Sequence, residues 1–559
     1  MSRVLIIGLD AADLDLIEPW VAAGWLPNIG AILQNGSFAP LRSTIPVMSP
    51  PAWTSLISGL NPGKHGIFDF VRLAPGSYHL VSTRRDQTTF KTMFDYASEH
   101  GKFVLALNVP MTYPPAPVHG IMVSGLGAPI SGQFTYPPHL REELLARGYQ
   151  IEPVTEFAPG RELQWLIDLA AVTRSQTEAM LRFMERYPWQ LGMIVYRAID
   201  EVETFFWHHM DPNHPLHDPE QAQRFGGAIL KIHRLLDEEI GRLVRAAGPE
   251  TTIVLVSDHG GGPLYREVFL NVWLEQRGWL KRRTPSPREN AFRRLAITFG
   301  ISREQLSPKL NGRFWTWLRH RIPISWQRYL APSATQLLAD AIDWSQTKAY
   351  SFGNIGQIYI NLKGREPEGI VTPGAEYEAL LTEITEALFQ LTDDGQPVVD
   401  AVYRGKDLYR GPYASYGPDL NVIMRGMSYV AQSWREMASD RIFAPPGSHF
   451  TGIHRPLGLL AISGPAIPRQ GKLAEVQIID VAPTVMQLLG IPSAAEQDGR
   501  VLVEFLTTNP VDLQPDRLRA SPSATQTDET RRPLNQTDWE SEAAEQEVLD
   551  RLRSLGYLD

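Results

Sequence analysis

Short apolar runs bounded by turns recur between stretches of helical periodicity: VLIIGLD from Val4, KFVLALNVP from Lys102, GMIVYRAID from Gly192, TIVLVSDHG from Thr252 and GLLAISGP from Gly458. Such rows of β-branched and aliphatic residues fit strands covered on both faces, as in a mainly parallel sheet flanked by helices. The pattern predicts a doubly wound α/β fold. Ligands in such sheets sit beyond the carboxyl ends of the strands. Three of the runs end there in acidic or acid-histidine residues: Asp10, Asp200, and Asp258 with His259. Asp is also a common turn and N-cap residue, so one such end would mean little. Three of them, one within a DHG, point to a site in which separate strands deliver hard ligands to one sheet edge.

A chain of 559 residues with 43% hydrophobic positions exceeds what one compact core usually supports. Residues 1–264 read as the first part of the core and 265–344 as a helical insertion rich in Arg and Trp. A second part of the core with a small accessory lobe follows over 345–505. Within it AYSFGNIGQIYINL reads as alternating strands, EYEALLTEITEALFQL as an amphipathic helix and DLNVIM as a strand. Residues 506–537, rich in Pro, Ser, Thr and Gln, read as a disordered linker, and 538–559 as a C-terminal helix that docks on the chain itself or on a partner. The insertion has two readings: a solvated helix face packed by tryptophans on the main domain, or a lid or surface that attracts an anionic substrate, polymer or membrane.

The formal net charge of −9 gives no global attraction to nucleic acid or anionic lipid, and no nucleic-acid module is recognisable. The absence of cysteine excludes disulfides, thiolate zinc sites, iron–sulfur clusters and cysteine nucleophiles together. The N-terminal apolar run is soon interrupted by carboxylates and reads as a buried strand, not a signal peptide. No transmembrane segment is predicted, and the expected location is the cytoplasm.

In STIPVMSPPAWTSLISGLNPGKHGIFDF, Ser49 precedes a helical pattern. A hydroxyl there is either a plain N-cap or a nucleophile held where a helix N-terminus favours anionic phosphate. The segment resembles the nucleophile region of the type I phosphodiesterase and nucleotide pyrophosphatase family of the alkaline phosphatase superfamily. Ser49, Pro51, Ser58-Gly59, Pro62 and His65-Gly66-Ile67 stand at that family's motif positions. VLVSDHGGG is similar to its metal-binding DHG, GIHRPLGLLAISGP to its late histidine motif, and IIDVAPTVMQLLGIP with DGR at Asp498 to its closing strand and helix. The order is the family's, across most of residues 1–505.

The resemblance implies an alkaline-phosphatase-like fold and two divalent metal ions. Asp10, Ser49, Asp258 and His259 would surround one ion, and Asp200 and His454 would belong to the other. Oxygen and imidazole ligands suit zinc, and also manganese or iron. The implied activity is hydrolysis of an anionic phosphoester, diester or monoester, through Ser49 and a phosphoseryl intermediate. His65 is expected to be structural, finishing a helix and turn.

Two departures qualify this. The family places a second-metal histidine four residues after Asp200, where Thr204 stands here. Glu203 also lies near the Asp200 face of a helix and is the better substitute, whereas His208 lies further round. Nucleotide pyrophosphatases of the family also have Asn three residues after the nucleophile, where this chain has Ala52. These departures motivate the alternative of a non-hydrolytic or single-metal binding or regulatory protein. A sulfatase would need Arg where Trp53 stands, and phosphomutases fit the N-terminal motif less well.

Overall fold

The computed structural model describes residues 3–283, 341–431, 440–447, 450–506, 534, 539 and 541–555. Most of the expected insertion, 284–340, and most of the expected linker lie outside the described residues. All five apolar runs form strands of one ten-stranded sheet. At its centre the strands Thr251–Val256, Arg3–Leu9, Leu191–Tyr196, Val104–Val109 and Gly120–Ser124 run parallel in that order. Leu457–Ser463 pairs antiparallel with Thr251–Val256, and Gly36–Arg42 continues the sheet beyond it.

Both faces of the sheet are covered, which is why these strands show no polar alternation. Along Arg3–Leu9, Val4 and Ile6 pack into a cluster with Trp53, Leu56 and Met486. Leu5, Ile7 and Leu9 pack on the opposite face with Met180, Phe183 and Leu236 of the long helices Glu162–Arg186 and Ala228–Ala247. Among the described residues no single helix is long and apolar enough to cross a membrane. The pair Leu14–Ala22 and Pro27–Gln34 reaches that length only together and is bent by 100° at its break.

The segments after Tyr265 build a second, seven-stranded sheet with its own core. It contains the alternating strands Ala349–Ser351 and Gln357–Ile360, joined by Leu420–Met424, and the helix Ala375–Phe389 packs beside it. Arg266–Val268, counted by composition with the insertion, is also a strand of this sheet, pairing with Tyr429–Ala431 and Phe443–Ala444. The C-terminal helix Glu542–Ser554 lies on its own chain. Val548 and Leu552 are buried there, Arg551 donates to the Ala128 carbonyl, and Trp539 stacks on Tyr113 with its indole N–H on Ser82 Oγ.

One close approach ties the sheet to what lies above it. A Cβ on Gly8 would meet Trp53 Cη2 at 2.6 Å and Val195 Cγ2 at 2.9 Å. The Gly8→Ala variant should therefore overpack this point and lose about 1–3 kcal/mol of stability. Thermal unfolding checks this, and an unchanged midpoint would show that the indole has room to move.

Candidate active site

The carboxyl ends of the three central strands lie side by side, so the sheet itself gathers the acids. Asp10 follows Arg3–Leu9, and Asp258 and His259 follow Thr251–Val256. Leu191–Tyr196 leads into the helix Ala198–Met210, whose first turn carries Asp200. His454 arrives from a distant part of the chain on the strand Gly452–Arg455. That strand pairs antiparallel with Gly260–Pro263 in a register that sets His454 opposite Gly261. The rings of His259 and His454 stack with centroids 3.9 Å apart.

Ser49 is the first residue of the helix Ser49–Ser58, and Met48, not Ser49, is its N-cap. The Ser49 hydroxyl faces the acids instead, 3.4 Å from Asp10 Oδ1 and 3.3 Å from His259 Nε2. Pro50 and Pro51 carry no N–H, so the helix end offers an anion fewer backbone donors than an ordinary N-terminus does. Trp53 is fully buried and donates its indole N–H to Asp10 Oδ2 at 2.9 Å. At the position where a sulfatase needs Arg, this chain thus has a support for Asp10.

Six side chains predicted from sequence therefore meet: Asp10, Ser49, Asp200, Asp258, His259 and His454, each no more than 5% exposed. Their ligand atoms form two groups able to hold a metal ion, Asp10 with Asp258 and His259, and Asp200 with His259 and His454. His259 is common to both, where the resemblance assigned it to one. Each imidazole has Nδ1 against a backbone carbonyl, His454 on Val47 at 2.8 Å and His259 on Gly260 at 3.1 Å. This leaves Nε2 toward the acids, the arrangement that orients metal-ligating histidines.

The charges crowd. Burial, and then Asp200, push Asp10 up to about 7 against the Trp53 hydrogen bond. Burial, and then Asp10 and Asp200, raise Asp258 well above the carboxylate range. Asp258 Oδ2 lies 3.2 Å from His259 Nε2. His259 is pushed down to about 3 by burial and the neighbouring His454, so its ring is neutral with a lone pair to offer. For His454 burial works against the charged ring, but the hydrogen bond and charge of Asp200 outweigh it and raise the group.

Glu203 does not join the cluster. Its carboxyl lies against Gly261, where a Cβ would come within 1.6 Å of Oε2, and 4.0 Å from His233 Nε2. Burial, then the charges of Asp13 and Asp200, hold it well above its ordinary range. Thr204 is half-buried, and its carbonyl accepts from the Thr451 N–H at 2.7 Å. His208 lies at the helix end, its Nδ1 3.1 Å from Thr451 Oγ1. His65 is structural: it is buried, with Nε2 on Ser55 Oγ and Nδ1 accepting from the Ile67 N–H. The sequence reading missed Arg197, whose charge acts on Asp10 and which pairs with Glu201. An Arg directly between a fully apolar strand and Asp200 was the available signal.

A mainly parallel α/β sheet thus carries acids, histidines and a serine at its carboxyl edge. The type I phosphodiesterase / nucleotide pyrophosphatase family model matches residues 4–311, and the chain belongs to that family, whose chemistry is hydrolysis of phosphodiester and pyrophosphate bonds. No curated protein matches it in sequence. Among solved structures, murine ectonucleotide pyrophosphatase / phosphodiesterase 5, as an inactive variant in complex with AMP, is 12% identical with a TM-score of 0.46. The human protein is 14% identical with a TM-score of 0.46, and in both pairs the match covers 88% of this chain and 96% of the other.

The Trp53→Phe variant keeps an aromatic ring but leaves Asp10 Oδ2 without its donor. It should cost about 1.5–3 kcal/mol, as for a buried hydrogen bond to a charged group. Thermal unfolding of the metal-free chain measures this, and a midpoint equal to the parent's would remove Trp53 from the support of the site.

Proposed function

We propose that the chain is a metal-dependent phosphoester hydrolase in which Ser49 is the nucleophile. The observation that carries this reading is the position of the Ser49 hydroxyl, within 3.4 Å of both Asp10 and His259 in a buried pocket. The residues fit divalent cations. Three carboxylates share a buried pocket, the His259 ring is neutral, and both imidazoles turn Nε2 inward. Such a set is unfavourable without a positive charge between its members and suits zinc, manganese or iron. Asp10, Ser49, Asp258 and His259 would hold one ion, and Asp200 and His454 the other, with His259 close to both.

Bound there, the ions supply positive charge that stabilises an anionic phosphoryl group and the oxygens gained and lost at phosphorus. The chain supplies positioning. Trp53 fixes Asp10, Asp10 Oδ1 accepts the Ser49 hydroxyl, and this holds the Ser49 oxygen toward phosphorus. The Ser49 oxygen bonds to phosphorus, its proton passing to Asp10, as the ester oxygen departs as the alcohol or alkoxide; water then cleaves the phosphoserine, restoring the Ser49 hydroxyl and releasing the phosphate product. A second reading, a binding protein with at most one metal, is favoured by one observation. Glu203 is turned away, so the Asp200–His454 half has no substitute from that residue.

Two variants test the proposal. The Ser49→Ala variant should lose at least about 10³-fold in hydrolysis of a chromogenic phosphodiester or monoester assayed with zinc or manganese. Equal rates in the two proteins would defeat the nucleophile, and no activity with any divalent ion would favour the binding reading. The Thr204→His variant should tighten the weaker of two zinc-binding events by about tenfold or more, read by calorimetry. An unchanged isotherm would show that position 204 does not face the ion.

A further inference from the structure

A small buried cavity of about 20 Å³ lies beside the first turn of the Asp200 helix, walled by Asn108, Arg197 and Glu201 among others. We propose that it is a site for one ordered water molecule, and that Asn108 and Glu201 position Asp200 through that water. The kinetic part of the inference rests on the hydrolase reading; the water site does not.

Asn108 and Glu201, on different elements of the wall, each carry a buried polar atom that makes no hydrogen bond, and the two are complementary. Asn108 Nδ2 is a donor and Glu201 Oε2 an acceptor, and neither makes a hydrogen bond. Their other atoms are taken: Asn108 Oδ1 accepts the Tyr149 hydroxyl, and Glu201 Oε1 accepts from Arg197 Nη2 at 2.5 Å. Of the other polar wall groups, Thr173 Oγ1 bonds the Leu169 carbonyl, Gln176 Nε2 bonds the Gln150 carbonyl, and Arg197 bonds Glu201 Oε1 through Nη2. Buried donors and acceptors are rarely left unpaired, and a polar void of this size holds about one water. That water would accept from Asn108 and donate to Glu201.

The backbone of Asn108 is specialised for this place. Its φ is +60°, a left-handed conformation uncommon outside glycine but tolerated by Asn, at the end of Val104–Val109 where the register with Gly120–Ser124 shifts. On the other side the Glu201 N–H bonds the Arg197 carbonyl while the two side chains pair. Asp200 lies within that clamped turn. A bridge from Asn108 to Glu201 thus fixes the rotation of the turn relative to the neighbouring strand, and with it the direction of the Asp200 carboxylate.

A high-resolution crystal structure of the full chain tests the site directly. The expected result is one solvent peak within hydrogen-bond distance of both Asn108 Nδ2 and Glu201 Oε2. A dry cavity, or an Asn108 amide turned onto a protein partner, would overturn the proposal. The Asn108→Gly variant suits the positive φ and removes the donor. Its kcat should fall about tenfold while KM stays near the parent's, and the thermal midpoint should drop because Tyr149 loses its acceptor. An unchanged kcat would overturn the positioning role. Glu201→Gln keeps an oxygen for the water and should retain more activity than Glu201→Leu, and equal loss in the two would count against the bridge. A parent chain that cleaves no phosphoester defeats the hydrolase reading and the positioning role with it, while the solvent peak still decides the water site.

Discussion

Three carboxylates in one buried pocket constrain everything around them. Asp10, Asp200 and Asp258 are each no more than 5% exposed; Asp200 raises the proton affinity of both Asp10 and Asp258, and Asp10 raises that of Asp258. Buried charge is tolerated only where donors or counter-charges face it. The fold provides several such groups from separate parts of the chain: the Trp53 indole on Asp10, the Ala11 N–H on Asp258 Oδ1, and the His454 ring beside Asp200. A parallel sheet makes the crowding unavoidable, because it sends the carboxyl ends of adjacent strands to the same edge.

The same constraint explains the three glycines of DHGGG. The strand Gly260–Pro263 has to pair with Gly452–Arg455 to bring His454 beside His259. A Cβ on Gly260 would lie 2.3 Å from the Leu457 carbonyl, one on Gly261 would strike Glu203 Oε2 and one on Gly262 would lie 2.4 Å from Arg455 Nε; on the partner strand, one on Gly452 would lie 2.2 Å from the Glu203 carbonyl. Side chains at these positions would push the ladder off the Asp200 helix and pull the two imidazoles out of register with the acids. The glycines serve the geometry of the site by letting three elements approach.

Much of this could be read from the sequence because strands buried on both faces are written as unbroken apolar runs, and three of them end in acids. Ser49 and His454 were legible through motifs, since neither follows an acid-ended strand. Trp53 was readable only as an obstacle to the sulfatase reading, because a hydrogen bond across 43 residues to Asp10 leaves no local pattern. Glu203 was misjudged for a physical reason. Helical spacing fixes which side of the helix a residue leaves from, but the neighbouring strands decide where the carboxyl ends, and here Gly261 leaves the gap. The second sheet was underestimated because its strands, such as Arg266–Val268, are short and separated by other elements along the chain.

The sharing of His259 bears on how the centre tolerates Thr204. Two independent halves would leave Asp200 and His454 as a pair of ligands, too few to hold a divalent ion well. In the observed geometry His259 Nε2 is 3.2 Å from Asp258 and 3.6 Å from Asp10, yet its ligand atoms also group with those of Asp200 and His454. Its ring stacks on His454, so movement of one imidazole displaces the other. On the proposed reading, His259 couples the two halves, and a chain without the usual histidine at 204 depends on that coupling more than a fully equipped relative would.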